Sequence, residues 1–255
     1  MRLRKYLPVE RMGKSRVLPA SFRSGAEFSA PKIDLRSICA PVRDQKDQDC
    51  TGFALSELMY SLRKAMNKDD VLFSPEEIYY EERLRENDVN QDNGAYIPDG
   101  LWVLQNIGAT PEKDDVYTGD FRHPPSQKAL EDAKAYRIAG WQEVPRYQGE
   151  PMAALSQVFD EFGKRNCLVA GIVVTQEIEE SHNGYCPMPG PNSQILGGHA
   201  VLFCGKIDNA AAPGGGFVIW QNSWSTAYGD KGFGYLPYAF VADPNLTQGI
   251  WKAWL

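Results

Sequence analysis

Apolar residues after Cys50 recur at helical steps. Phe53, Leu58, Leu62 and Ala65 lie three to five residues apart, with Ala54, Met59 and Met66 beside them. That is one stripe of an amphipathic helix over residues 50–66. Asp49 or Thr51 is placed to cap its start, and the stretch before it, from Pro41, is polar and turn-like. Ser74-Pro75-Glu76-Glu77 reads as a second helix start, with Ser74 as cap, Pro75 at the first helical position and Glu77 as a capping-box carboxylate. This helix passes Tyr79, Tyr80 and Leu84 and ends in the polar residues 87–94. Residues 99–108 predict a short helix closed by Gly108, residues 126–135 another, and residues 150–162 a single helix with Ala154, Leu155, Val158 and Phe162 on one face.

The pattern then changes period. Residues 167–175 (CLVAGIVVT) form a continuous apolar run of strand length, suited to a buried strand. Residues 198–207, 217–221 and 232–236 are further strands, as are residues 136–141 and, near the start, 31–36, where Ile33 and Leu35 alternate with polar neighbours. Residues 176–196 read as a long polar loop. Helices come first and strands second, which is an α+β chain with a boundary near residue 135. Residues 31–135 are expected to form a mainly helical lobe and residues 136–255 a mainly β lobe. Residues 1–30 mix charge, Gly and Pro without periodicity and read as an arm or short leader, its Arg2, Arg4, Lys5 and Arg11 belonging to a solvated tail.

Composition narrows the functional classes. The chain has 255 residues, 43% hydrophobic and 24% charged, with a net charge of −6. This balance points away from nucleic acid and anionic membrane surfaces. No apolar run approaches a membrane span, and the basic start lacks the apolar segment of a secretory signal. The expected location is cytoplasmic, or exported without a standard signal peptide. Five cysteines are widely spread with no CxxC, against both a disulfide framework and a cysteine zinc site. Asp88, Asp92 and Asp99 do not have EF-hand spacing, and Gly214–Gly216 lacks the surroundings of a phosphate loop. No metal and no cofactor is expected.

One group of residues carries chemistry. Cys50 falls at a helix N-terminus, where unpaired N–H groups and the helix dipole favour a thiolate. Taken alone, a Cys in an apolar helix is more often a small buried hydrophobe. His199 opens an apolar strand after two glycines, a place where its ring nitrogens need partners. Asn222 closes the following strand, and Gln45 precedes Cys50 by five residues. A thiol nucleophile needs a base and a group that orients the base. Cys50, His199 and Asn222 can fill those roles, while the Cys50 N–H and the Gln45 amide can stabilise an oxyanion.

The segments PVRDQ…C followed by FALS, then GGHAVLFCG, then VIWQNSWSTAYGDKGFGYL resemble the papain-like cysteine peptidases. They look closest to the bacterial members, which carry Thr rather than an aromatic after the Cys. The resemblance runs from about Pro31 to Leu236, through SPEEIYY and NGAYIPDGLWVLQNIGATPEKDDVY. It implies a two-lobed fold, a helical N-terminal lobe and an antiparallel β-sheet or barrel C-terminal lobe with the active-site cleft between them. It implies a cysteine endopeptidase acting through a thioester acyl-enzyme on a peptide or protein. Cys50 would be nucleophile and His199 base and then acid. Asn222 would orient the imidazole under Trp224, and Gln45 would complete the oxyanion hole. Gly94, Ala95 and Tyr96 would hold extended substrate backbone, with Gly198 beside it. Ile97 and Ala200 would line the pocket for the second residue before the scissile bond, which favours an apolar side chain.

Departures accompany the resemblance. The Gln45–Cys50 turn, QKDQDC, is one residue short and has lost its glycines. Asp47 and Asp49 bring negative charge toward the thiolate. The cysteine that would pair beside the nucleophile is absent. About thirty residues stand where the family has a long inhibitory leader, so a smaller inhibitory arm is one reading. A papain-fold acyltransferase, amidase or effector acting on one protein, and a catalytically weakened binding relative, stand as alternatives.

Overall fold

The computed structural model describes residues 32–255, so the N-terminal arm lies outside the described residues. The helical half contains α1 (Cys50–Ala65), α2 (Pro75–Arg85), α3 (Ile97–Asn106) and α4 (Gln127–Ala133). Helix α1 packs against α2 and α3 on one side and the sheet on the other. It is therefore buried all round from Cys50 to Leu62, not amphipathic as its periodicity suggests. Its polar residues are paired: Thr51 donates to Glu82, Ser56 takes the Arg43 guanidinium at 2.5 Å, and Ser61 donates to the Leu58 carbonyl at 2.8 Å. Met66 lies outside the stripe and is exposed.

Ser74 caps α2 by accepting from the Glu77 N–H at 3.2 Å, behind Pro75. The expected capping box does not close. The Ser74 N–H donates to the Thr110 carbonyl at 2.9 Å, and Glu77 accepts from the Thr110 N–H at 3.2 Å. Both groups are spent on tying α2 to the neighbouring segment.

Strand β1 (Lys32–Asp34) joins the sheet of the second half by pairing with β4 (Ile195–Asp208). Gly205 permits this approach: its φ is +147°, and a Cβ there would meet the Ile33 carbonyl oxygen at 2.2 Å. The other strands are β2 (Gly140–Glu143), β3 (Leu168–Thr175), β5 (Gly216–Gln221), β6 (Phe233–Pro237) and β7 (Thr247–Trp254). Neighbours pair antiparallel in the order β2-β7-β3-β4-β5-β6.

Three elements differ from the expectation. Residues 136–139 complete the turn after α4, where Tyr136 and Ile138 bond to the α3–α4 region, so β2 starts at Gly140. The helix expected over 150–162 is two, α5 (Pro151–Ala154) and α6 (Ser156–Gly163), broken at Leu155. Ala154, Leu155, Val158 and Phe162 are all buried across the break, so the apolar period does not register it. The loop expected over 176–196 contains α7 (Gln176–Glu179) and the first residues of β4. Helix α8 (Tyr238–Ala242) and β7 follow the last expected strand.

Buried carboxyls lie along α1 and α2. Burial pushes Glu57 up to about 8, with Arg43 pulling it partly back, and pushes Glu77 to about 8 as well. One Glu57 oxygen has no partner among the described residues. As pH rises, the unfolded chain ionises such a group near the ordinary carboxylate range, while the folded chain holds its proton up to about 8. Stability is full below pH 4 and is lost as pH rises through about 8. Glu57→Gln removes this loss. Thermal melts are expected to match wild type at pH 4 and to show the variant more stable at pH 9, on the order of 2 kcal/mol.

Candidate active site

The site forms where the start of α1 meets β4. In the β3–β4 pairing, His199 lies opposite Ile172 and Ala200 opposite Gly171. The Ala200 N–H donates to the Cys50 sulfur at 3.4 Å, so the sulfur rests against the strand that carries His199. Strand β5 pairs with the next part of β4, and Asn222 follows directly after it. His199 Nε2 lies 2.8 Å from Asn222 Oδ1. That oxygen also accepts from the Ser223 N–H at 2.8 Å, which identifies it as the carbonyl oxygen. Nε2 must therefore donate, leaving Nδ1 with the lone pair. Nδ1 is buried and has no partner among the described residues. Trp224 stacks on the imidazole, with ring centroids 4.7 Å apart and planes at 21°.

The electrostatics differ from a simple helix-terminus thiolate. Burial pushes the Cys50 thiol up to about 12. The Ala200 N–H opposes the shift, and Asp49 and Glu82 add to it. Burial also pushes His199 down to about 4, with the Asn222 bond opposing. Desolvation under β4 outweighs the helix terminus at Cys50 and disfavours the charged form of both groups.

Gln45 is clamped at both ends of its amide. Ser223 Oγ donates to its oxygen at 2.6 Å, and its Nε2 donates to the Asp47 carbonyl at 2.9 Å. Its backbone N–H reaches the Ser223 carbonyl at 2.8 Å. One of the two amide N–H bonds is thus used inside the shortened turn. Three further contacts brace that turn. The Lys46 N–H donates to the Tyr117 hydroxyl at 2.8 Å, the Gln48 N–H to Asp92 at 3.1 Å, and the Phe121 N–H to Asp47 at 2.8 Å. The cysteines of the described residues are free, so these hydrogen bonds and not a disulfide brace the turn.

The expected substrate-facing residues are partly brought together. Gly94 is buried with φ +77° and donates its N–H to the Tyr79 hydroxyl at 3.0 Å. Ala95 is half-buried, while Tyr96 is exposed and its N–H is bonded to Glu86 at 2.8 Å. Ile97 opens α3, and its Cδ1 lies 3.6 Å from where a Cβ on Gly171 would stand. Because Gly171 pairs with Ala200, residues Ile97, Gly171 and Ala200 meet at one apolar spot. Gly198 is half-buried opposite Val173. Gly171 escaped the sequence reading. Its signal is a lone glycine inside an apolar strand, which marks a close approach. Among the described residues no cluster of His, Cys, Asp or Glu is arranged for a metal ion, and no helix is long and apolar enough to cross a membrane.

This fold is that of the papain-like cysteine proteases. The chain is similar to xylellain, a cysteine protease from Xylella fastidiosa, with a TM-score of 0.74 and 26% identity over 89% of this chain and 87% of that one. It is similar in fold to the bromelain protease from Ananas comosus, solved with the E64 inhibitor, with a TM-score of 0.67 and 16% identity over 88% of this chain and 98% of that one. Over 213 residues, 79% of this chain, it is 29% identical to an uncharacterized peptidase C1-like protein, L477, of Acanthamoeba polyphaga mimivirus. The match spans 65% of that relative's length. No protein-family model matches the chain.

Proposed function

We propose that the chain is a cysteine endopeptidase that cleaves peptide bonds through a thioester. The observation that carries this reading is the His199–Asn222 bond, which leaves an unpartnered lone-pair nitrogen on His199, together with a Cys50 sulfur held against the same strand by the N–H of the next residue, Ala200. As a peptide carbonyl approaches, the thiol proton moves to Nδ1 and the sulfur adds to the carbonyl carbon. The oxyanion is met by the Cys50 N–H, which has no intrahelical partner at the first helical position, and by the second N–H of Gln45. His199 then gives its proton to the leaving amine. Water, activated by the same imidazole, releases the acid and restores the thiol.

The meeting of Ile97, Gly171 and Ala200 supports a preference for an apolar side chain two residues before the cut. Replacing Gln45 with Ala is expected to lower kcat roughly 10²–10³-fold with little change in KM, the loss that follows removal of one oxyanion donor. Steady-state kinetics on a peptide substrate would reveal the split. An unbiased peptide-library digestion with the wild-type chain beside Cys50→Ala tests the activity itself. Cleavage by the first and none by the second supports the peptidase; cleavage by neither removes it.

Two observations favour a second reading, a binding relative. The thiol is held well above its ordinary range, and one Gln45 N–H is already engaged. Incorporation of added amines into product would instead identify an acyltransferase using the same residues.

A further inference from the structure

Two of the three braces on the Gln45–Cys50 turn come from residues 117–121. The third reaches further. Asp92, in the loop between α2 and α3, receives the Gln48 N–H on both carboxylate oxygens, at 3.1 and 3.2 Å, across 44 positions of sequence. Its Oδ1 also accepts from the Tyr79 hydroxyl at 2.7 Å. Tyr79 is a fully buried residue of α2. Its one hydroxyl proton goes to Asp92, so its oxygen is left as an acceptor. The Gly94 N–H fills that place at 3.0 Å.

One carboxylate therefore holds both sides of the candidate site. On one side, Gln48 stands in the turn between Gln45 and Cys50, whose N–H groups meet the oxyanion in the proposed chemistry. On the other, Gly94 begins the 94–96 segment placed to hold extended substrate backbone. Gly94 takes a φ of +77°, which glycine adopts without strain, and its bond to Tyr79 pins the loop at that bend. Asp92 itself is half-buried.

We propose that Asp92 is a positioning residue: by holding the Gln48 N–H directly and the Gly94 N–H through Tyr79, it sets the distance between the oxyanion donors and the substrate backbone. The inference rests on the reading of the chain as a cysteine peptidase. A substrate carbonyl must meet the sulfur and both donors at once, and a misplacement of about 1 Å costs on the order of 10²-fold in rate. The network also divides into two parts. Tyr79 serves the Gly94 side, whereas Asp92 serves both sides.

The test measures kcat and KM on a peptide that the wild type cleaves, with active sites counted by an epoxide inhibitor. Amide hydrogen exchange at residues 48 and 94 is followed in parallel. Asp92→Ala frees both sides, so kcat should fall roughly 10–10²-fold while KM rises, and both amides should exchange faster. Tyr79→Phe frees Gly94 and keeps the Gln48–Asp92 bonds. Its KM should rise about tenfold with kcat within about threefold of wild type, and the amide of residue 94 alone should exchange faster. Asp92→Asn keeps an oxygen that can accept from both Gln48 and Tyr79, so its kcat should return to within about threefold of wild type. If Asp92→Ala does not fold, the other two variants carry the same test. A purely structural role would lower the number of active sites and leave kcat per site and KM unchanged. That result overturns the proposal, as does a Gln48 amide indifferent to Asp92→Ala or an Asp92→Asn no better than Asp92→Ala. A wild type that cleaves nothing removes the peptidase reading, and the exchange rates then decide alone whether Asp92 ties the two sides. A wild type that cleaves, with Asp92→Ala matching it in kcat and KM, removes this inference and leaves that reading standing.

Discussion

Cys50→Ala should leave a folded chain that cleaves no peptide at a measurable rate. In the proposed chemistry the sulfur is the atom that bonds to the substrate, and no neighbouring side chain can replace it. His199, Asn222 and the oxyanion donors remain, but members of a nucleophile–base unit act together, and losing one costs roughly 10⁴-fold or more in kcat. The fold should hardly notice. The sulfur's polar contact is one 3.4 Å hydrogen bond from Ala200, and a methyl group suits the same apolar wall. Turnover assays beside thermal melts check both halves. Unchanged turnover removes Cys50 from the reaction, and a large fall in melting temperature makes its role structural.

The largest expected loss of stability is at Arg83. This side chain is fully buried in α2, where sequence pattern alone would place a surface residue. Its guanidinium donates to the carbonyls of Tyr79, Val89, Gln91 and Phe121, and it lies 4.1 Å from the Tyr79 ring centroid. These bonds gather the end of α2, the 89–94 loop that leads to Gly94, and the 117–121 loop that braces the Gln45–Cys50 turn. Arg83→Ala strands several buried carbonyls and opens a cavity, costing about 3–5 kcal/mol. Urea unfolding would measure it. A second effect should follow where the variant still folds: kcat should drop because the turn carrying Gln45 loses a support. A loss below about 1 kcal/mol would contradict this assignment.

Much of this was legible in the chain. The α1 start at Cys50, the Ser74 cap and the apolar β3, β4 and β5 segments follow from local patterns, which report burial and turns directly. His199 and Asn222 could be paired because each stands at the edge of an apolar strand beside its neighbour. What stayed hidden depends on partners distant in sequence. The break at Leu155 leaves the apolar face intact. Strand β7 has no clean alternation, because it lies between β2 and β3 with both faces partly covered. Arg83 reads as solvated until four carbonyls from separate segments converge on it. The helix terminus by itself favours the thiol as an anion. Burial under the strand laid over it pushes the thiol up instead, and no spacing rule carries that information.

The proposed account requires a sulfur made reactive by its neighbours rather than merely buried among them. Incubation with an epoxide inhibitor, followed by peptide mapping of wild type and His199→Ala, tests this most directly. The account predicts one adduct, on Cys50, formed far faster than in the urea-unfolded chain and lost in His199→Ala. Labelling of Cys50 no faster than in the unfolded chain, or indifferent to His199, would contradict it.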